Sequence, residues 1–354
     1  MVHLLFHYVS ESIKKTNKND RFNYLHQSKT INYPLMSAIR LISDEFFADY
    51  KKKSSFSALI RLYRKAKILG MPDLRKALFN NAAYQNHVTK IDNTDSLFFL
   101  SHKYYLAQGF TFKQRALAAL YHYEQETKRF DMYYYQNVYC KNGLILWSKT
   151  ADNIIFDIRL MPGNDALYEG GCSVVFHVSS VRVCVLSYSV IPLNIILPEL
   201  AISTNTKKIN KQSALFVTRK QLTSDHTYQK SFDKIFNRIT PAHLCLGALA
   251  GIGLAQGYEY FIGISASVHP SLKPEFSKTF DAAYTQFWAS LGGQIKSPYG
   301  YLVELPIHLT PLEQLTPNAR KRAILRRKHI NQVYEEASSV IQKHLLPLNL
   351  TPEK

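Results

Sequence analysis

Apolar residues along this chain recur in two rhythms. After a polar, basic lead-in over residues 10–30, they return every three or four residues from 34 to 130, as an amphipathic helix requires. Leu59, Leu62, Tyr63 and Ala66 keep that spacing, and so do Phe112, Ala116, Leu120 and Tyr123 behind a capping Thr111. The break Gly70-Met71-Pro72-Asp73 ends one predicted helix and opens another, because proline suits a first helical turn. Residues 92–106 (DNTDSLFFLSHKYYL) predict a further helix, capped near Thr94 or Asp95.

After Phe130 the rhythm shortens to two. Residues 153–160 (NIIFDIRL) predict a strand, residues 172–178 and 181–189 (CSVVFHV, VRVCVLSYS) a hairpin, and residues 213–218 (SALFVT) another strand. A helix is predicted over 228–238, and Pro241 opens the next. Residues 244–305 then read as a glycine-rich apolar helix, the short strand FIGIS (261–265), a loop carrying His269, a helix ending at Gly292-Gly293, and a closing strand. FIGIS is apolar and bounded by Gly257 and His269-Pro270, which predicts an interior strand in one mixed sheet with the 241–256 helix packed on it. Thr316-Pro317 opens a last helix with Ile330, Val333, Ala337 and Ile341 as its apolar stripe. The order predicts an α+β protein: an N-terminal helical domain (1–130), a mixed β-sheet with packed helices (131–315), and a C-terminal basic helix and tail (316–354).

Charge sharpens this division. The chain of 354 residues carries a net +18. Residues 1–130 hold 21 Lys/Arg against 10 Asp/Glu, residues 131–315 hold 15 against 13, and residues 316–354 hold 8 against 3. The near-neutral centre with basic flanks points to an anionic partner: a membrane surface, an acidic acyl carrier protein or, less well supported, nucleic acid. No helix-turn-helix, zinc-finger or RNA-binding signature accompanies the charge. Lys51, Lys52, Lys53, Arg61 and Arg64 are the candidates for membrane-surface contact. The four cysteines have no paired spacing and the histidines no ligand spacing, so no metal is predicted. No secretory signal and no spanning segment stands out, and the expected place is the cytoplasm, peripherally on the inner membrane.

Several stretches together resemble the VirK/YbjX family of bacterial proteins, whose biochemical activity is undefined. They are FFLSHKYYLAQGFTFKQRALAALYHYEQE (98–126), YEGGCSVVFHV with VRVCVLSYS (168–189), ITPAHLCLGALAGIGLAQG (239–257), FIGISASVHP (261–270), AYTQFWASLGG (283–293) and ARKRAILRRKH (319–329). The chain departs from the family's glycine-rich strand end at FVTRKQL (216–222). A second resemblance is of fold alone. Helix, glycine, buried strand, helix, FWxxLGG and strand are similar to the C-terminal half of GNAT-type acetyltransferases. Two features of that group are missing. Its phosphate loop is replaced by Thr240-Pro241-Ala242-His243, and its aromatic pair with a tyrosine acid by Phe287-Trp288. The resemblance therefore implies an acyl carrier or lipid donor in place of coenzyme A. No cofactor is evident.

The candidate chemical groups follow. His269, after the buried strand, is the first candidate for acid–base work. Glu169, beside Gly170-Gly171, and His122, one helical turn before Glu126, are its candidate partners. Their plain alternatives are a surface histidine, a turn carboxylate and an amphipathic-helix histidine. Arg322 and Arg326 trace back onto the apolar face of the last helix, where they either extend to solvent or hold an anion; Lys220 joins them as an anion-binding candidate. Three functions remain open: an acyltransferase-like enzyme of the envelope, a non-enzymatic peripheral membrane factor, and a nucleic-acid-binding regulator.

Overall fold

Capping chemistry sets where the central helices begin. The Thr111 hydroxyl accepts from Gln114 N–H at 3.2 Å, and the Gln114 side-chain oxygen accepts from Thr111 N–H at 2.9 Å. This reciprocal box starts the helix Phe112–Arg129. The Asp131 carboxylate accepts from Tyr134 N–H at 2.8 Å and starts Met132–Tyr139. The computed structural model describes residues 33–52, 55–86, 97–101, 105–140, 142–163, 169–196, 213–222 and 228–347. In chain order the first helices are α1 (Tyr33–Lys52), α2 (Ser55–Ala66), α3 (Pro72–Asn80), α4 (Ala82–Asn86), α5 (Phe98–Ser101), α6 (Phe112–Arg129) and α7 (Met132–Tyr139). The helix expected over 92–106 is reduced, among the described residues, to α5. Leu106 takes a left-handed φ of 70°, which a helix cannot continue through.

Eight strands follow the change of rhythm: β1 (Leu144–Ala151), β2 (Ile154–Pro162), β3 (Cys172–Val178), β4 (Val181–Pro192), β5 (Ser213–Leu222), β6 (Tyr260–Ile264), β7 (Gln294–Ser297) and β8 (Gly300–Glu304). They form one sheet in the order β1-β2-β3-β4-β5-β6-β8-β7. Every neighbouring pair is antiparallel except β5 and β6, which run parallel. The fold is α+β, with the mixed sheet, the N-terminal helices and the C-terminal helix that the pattern predicts. The β1 strand went unread in the sequence. Its turn to β2, Asp152-Asn153, is left-handed at both residues (φ 50° and 60°), a two-residue hairpin loop.

β4 runs into the short helix α8 (Leu193–Ile196), and the connection from β5 to β6 contains α9 (Gln229–Phe236) and α10 (Pro241–Ala255). α10 is buried from Pro241 through Gly253 except at His243. It is apolar on all sides because it lies between the sheet and the last helix, α13 (Pro317–Gln342). Between β6 and β7 come α11 (Ser277–Phe280), a π-helical turn (Asp281–Thr285) and α12 (Gln286–Ala289). One continuous apolar core runs from Ala38 in α1 to Ile341 in α13. The end of α13 is strapped to the α6–α7 junction by Asp131 N–H to the His344 carbonyl (3.0 Å) and Leu346 N–H to the Arg129 carbonyl (2.8 Å).

The α10–α13 contact depends on glycine. A Cβ on Gly251 would lie 2.5 Å from the Tyr334 carbonyl oxygen and 3.0 Å from Ser338 N. Both are backbone atoms of a helix and cannot swing aside. Gly251→Ala must push the helices apart, and overpacking of this kind costs about 1–3 kcal/mol. The expected outcome is a lower urea midpoint with an unchanged slope; an unchanged midpoint would refute the close packing.

Candidate functional site

The site begins where β5 and β6 part. Their ladder covers only Leu215, Phe216 and Val217 opposite Phe261, Ile262 and Gly263. Beyond Val217, β5 continues to Leu222 and stays paired with β4. The cause is local. Ser187 faces Arg219 and Tyr188 faces Val217, so Thr218 is one residue too many. Its hydroxyl donates to the Ser187 carbonyl at 3.2 Å. A bulge of this kind bends its strand, and at the same level β6 ends at Ile264 and turns into the 3-10 segment Ala266–Val268, so β5 runs on without it.

The parting leaves backbone groups without a strand partner. Lys220 N–H and C=O are met by one side chain: the Tyr284 hydroxyl accepts from the amide at 3.2 Å and donates to the carbonyl at 3.1 Å. Tyr284 sits in the π-helical turn, whose extra residue re-aims the side chains around it. The same hydroxyl lies 2.8 Å from His269 Nε2. His269 Nδ1 accepts from Ser271 N–H at 3.1 Å. The ring therefore carries its hydrogen on Nε2 and gives it to Tyr284. It also packs on Phe280 and is 3% exposed. Burial, helped by the charge of Arg219, pulls the His269 pKa down to about 3. Burial pushes the Tyr284 phenol upward. His269 is neutral with both nitrogens occupied, which makes it a positioning group for Tyr284 in this state of the molecule.

Glu169, with His122 a candidate partner of His269, makes no hydrogen bond to that ring and reaches its cluster through Ser271. Its Oε1 accepts from the Ser271 hydroxyl at 3.1 Å and lies 3.2 Å from Arg219 Nη1. The guanidinium approach is ionic; its N–H vectors do not form a hydrogen bond with the carboxylate. Glu169 Oε2 is buried with no hydrogen-bond partner. Burial raises the Glu169 pKa, opposed by the Arg219 charge and the Ser271 hydroxyl. Lys220 Nζ stands 4.4 Å above the Phe287 ring, and burial lowers its pKa.

His122 lies in a different cluster. Its Nδ1 accepts from Val190 N–H at 3.2 Å, and its ring packs so closely on Gly171 that a Cβ there would come within 2.1 Å. Nε2 is 3.7 Å from Cys172 Sγ and 4.0 Å from Glu126 Oε2. Tyr134 and Tyr139 donate to the two Glu126 oxygens at 2.8 and 2.6 Å. Burial lowers the His122 pKa and raises that of the Cys172 thiol, so a neutral ring faces a protonated thiol. His122, Glu126 and Cys172 offer three ligand atoms within 4.8 Å of one another, a spacing that suits a tetrahedral ion. The hydrogen bonding does not. A metal-bound imidazole ordinarily donates from its second nitrogen, whereas this second nitrogen already accepts from Val190. The three residues fit a hydrogen-bonded network better than an ion.

The anion-binding candidates separate. Arg326 donates to the carbonyls of Asn237 (3.3 Å) and Arg238 (3.4 Å), closing the end of α9. Its charge and that of Lys220 both bear on His243, whose pKa falls to about 4, chiefly through burial. Arg322 is exposed on α13, away from that cluster of contacts. Of the membrane-surface candidates, Arg61 and Arg64 lie on α2, Lys51 and Lys52 end α1, and Lys53 lies outside the described residues.

No family model, curated protein or solved structure matches the chain. Arg219, Ser271 and Tyr284 escaped the sequence reading. FVTRKQL marked the right strand end, but a tyrosine acting from one turn before Phe287-Trp288 has no textual signal.

The neutral His269 gives a pH prediction. The folded pKa lies below the ordinary histidine value, so the unfolded chain takes up a proton first as pH falls. Stability contributed by the neutral ring is full above about pH 6.5 and declines toward pH 3, by up to about 1.4 kcal/mol per pH unit. His269→Gln should show a shallower loss of stability across that window. In the wild type, ring nitrogen shifts should report an Nε2–H tautomer unchanged at pH 5; titration near pH 6.5 would contradict the assignment.

Proposed function

We propose that the chain is an acyltransferase-like enzyme of the bacterial envelope, of the VirK/YbjX type, acting at the inner-membrane surface with an acyl carrier or lipid donor. The observation that carries this reading is the parting of β5 from β6 over a buried polar set. A strand edge that leaves its ladder offers N–H and C=O groups to any extended chain with amides. The Tyr284 hydroxyl already fills the pair on Lys220, so an entering chain would have to displace it there. Arg219, Glu169 and Ser271 converge beside it, out of water, where charge acts strongly on a developing oxyanion. The sheet order supports the GNAT-type resemblance. The missing phosphate loop supports a donor other than free coenzyme A.

The test is thioester turnover. Lauroyl-loaded acyl carrier protein, with anionic vesicles present, should release free thiol faster with the enzyme than without it. Arg219→Met should reduce the rate by about tenfold or more. Release no faster than the blank, in a folded sample, would remove the acyltransferase reading.

A membrane-surface role has its own supporting observation. On α2, Leu59 and Tyr63 are 45% and 67% exposed and one turn apart, and Lys67 Nζ stands 5.0 Å over the Tyr63 ring. Met36 on α1 is also exposed. Among the described residues no single helix is long and apolar enough to cross a membrane. Apolar tips among cations suit an interfacial helix, each cation near an anionic leaflet contributing about 1 kcal/mol. Co-sedimentation with phosphatidylglycerol vesicles should weaken as salt rises, and further with Lys51/Lys52/Lys53→Glu or Leu59→Asp. Binding that ignores salt and both variants would sink the membrane role, and steep salt-dependent binding to duplex DNA instead would favour the nucleic-acid reading.

A further inference from the structure

We infer that Glu169 Oε2 and Arg219 Nη1 together seat one alcohol oxygen, the acceptor hydroxyl of the proposed acyl transfer. The inference rests on that reading for the word acceptor; the seat itself rests on geometry.

Glu169 and Arg219 are 8% and 7% exposed. On Glu169, Oε1 accepts from the Ser271 hydroxyl at 3.1 Å and faces the Arg219 Nη1 charge at 3.2 Å. Oε2 is left over. On Arg219, Nη2 is bonded to the Gln221 side-chain oxygen, while Nη1 makes no hydrogen bond. Buried donors and acceptors are almost always satisfied by protein or ordered water, so Oε2, and Nη1 beyond its ion pair with Oε1, call for a third group.

The geometry says which. The two carboxylate oxygens share one carbon and Nη1 lies 3.2 Å from one of them. A single atom can therefore reach both Oε2 and Nη1. It must donate to the carboxylate and accept from the guanidinium. Charge removes the alternatives. An ammonium would satisfy Glu169 but repel Arg219 and leave Nη1 orphaned. A carboxylate or phosphate oxygen would satisfy Arg219 but oppose Glu169. A neutral hydroxyl does both with one atom, and water does so when no alcohol is bound.

The chemistry then closes. The seated hydroxyl oxygen attacks the carbonyl carbon of an acyl thioester, and its proton passes to Glu169 Oε2. The carbon–sulfur bond breaks, the leaving sulfur takes the proton back from Glu169, and the products are an ester and a free thiol. Burial raises the basicity of the carboxylate for this role.

The experiment has two arms. In the first, lauroyl-loaded acyl carrier protein is offered with octyl glucoside, monooleoylglycerol or octylamine as acceptor. Ester products are expected, with the sugar or the glycerol acceptor preferred according to whether the natural hydroxyl belongs to a sugar or a lipid headgroup. Glu169→Gln should lower their formation by about 10²-fold or more with little change in acceptor KM. Amide product from octylamine alone, or ester formation indifferent to Glu169→Gln, would overturn the inference and leave acyl transfer standing. In the second arm, wild-type crystals are soaked in isopropanol. An alcohol oxygen between Glu169 and Arg219 is expected. A pair bridged by another protein group, or one that takes neither alcohol nor water, would overturn the seat. If no acceptor yields product, the acyl-transfer reading falls and the crystals alone decide whether the seat stands.

Discussion

The molecule turns on one surplus residue in a strand. Thr218 has no register partner on β4, and at the same level β6 ends, so β5 runs on unpaired on that side in the middle of a sheet. Backbone groups at the centre of a sheet cannot be left to water, so the fold must supply a substitute. Tyr284 supplies it for Lys220, and the rest follows from holding that hydroxyl still. The π-helical turn aims the phenol, His269 donates to it, and Ser271 N–H fixes the His269 ring. The Ser271 hydroxyl then reaches Glu169, which meets Arg219, the residue next to the bulge. The polar cluster is a closed chain of dependence that starts and ends on β5.

Burial decides the chemical state of each member. Two histidines, in two clusters, have the same solution: a backbone N–H on Nδ1, a hydrogen on Nε2, and a depressed pKa. A histidine so arranged orients its neighbours and has no free lone pair for a substrate proton. Glu169 is the opposite case. Its surroundings raise its pKa and leave one oxygen unspent. Of the two, the carboxylate is the group with an unspent oxygen, although His269 is the more conspicuous residue in the sequence.

Much of the fold was legible because periodicity reports which faces are buried. The β3–β4 hairpin, the interior β6 strand and the apolar α10 helix follow directly from residues 172–189 and 244–265. The missed β1 strand is explained by its pairing: Leu146 and Trp147 are buried side by side across a register shift, which spoils the two-residue rhythm. The site was legible in part. His269 and Glu169 stand near the ends of readable elements, and the structure links them only through Ser271. Tyr284 and Arg219 could not be found that way. Their roles arise from a bulge and a π-turn, each a single extra residue whose effect appears only when strands and helices are assembled.

The basic flanks separate two properties that a sequence merges. Arg320 and Arg327 spend guanidinium hydrogens on carbonyls just before α13, and Arg326 on those at the end of α9. Donors so engaged cannot chelate an anion without releasing the segments they hold. Their positive charge is untouched, because a carbonyl neutralises nothing. Attraction toward an anionic surface depends on summed charge within about a Debye length, roughly 8 Å at physiological salt, and not on vacant hydrogen-bonding geometry. The C-terminal helix can thus be structurally committed and electrostatically active together. Specific recognition must then be sought at the β5–β6 parting, where charges are few, buried and incompletely paired.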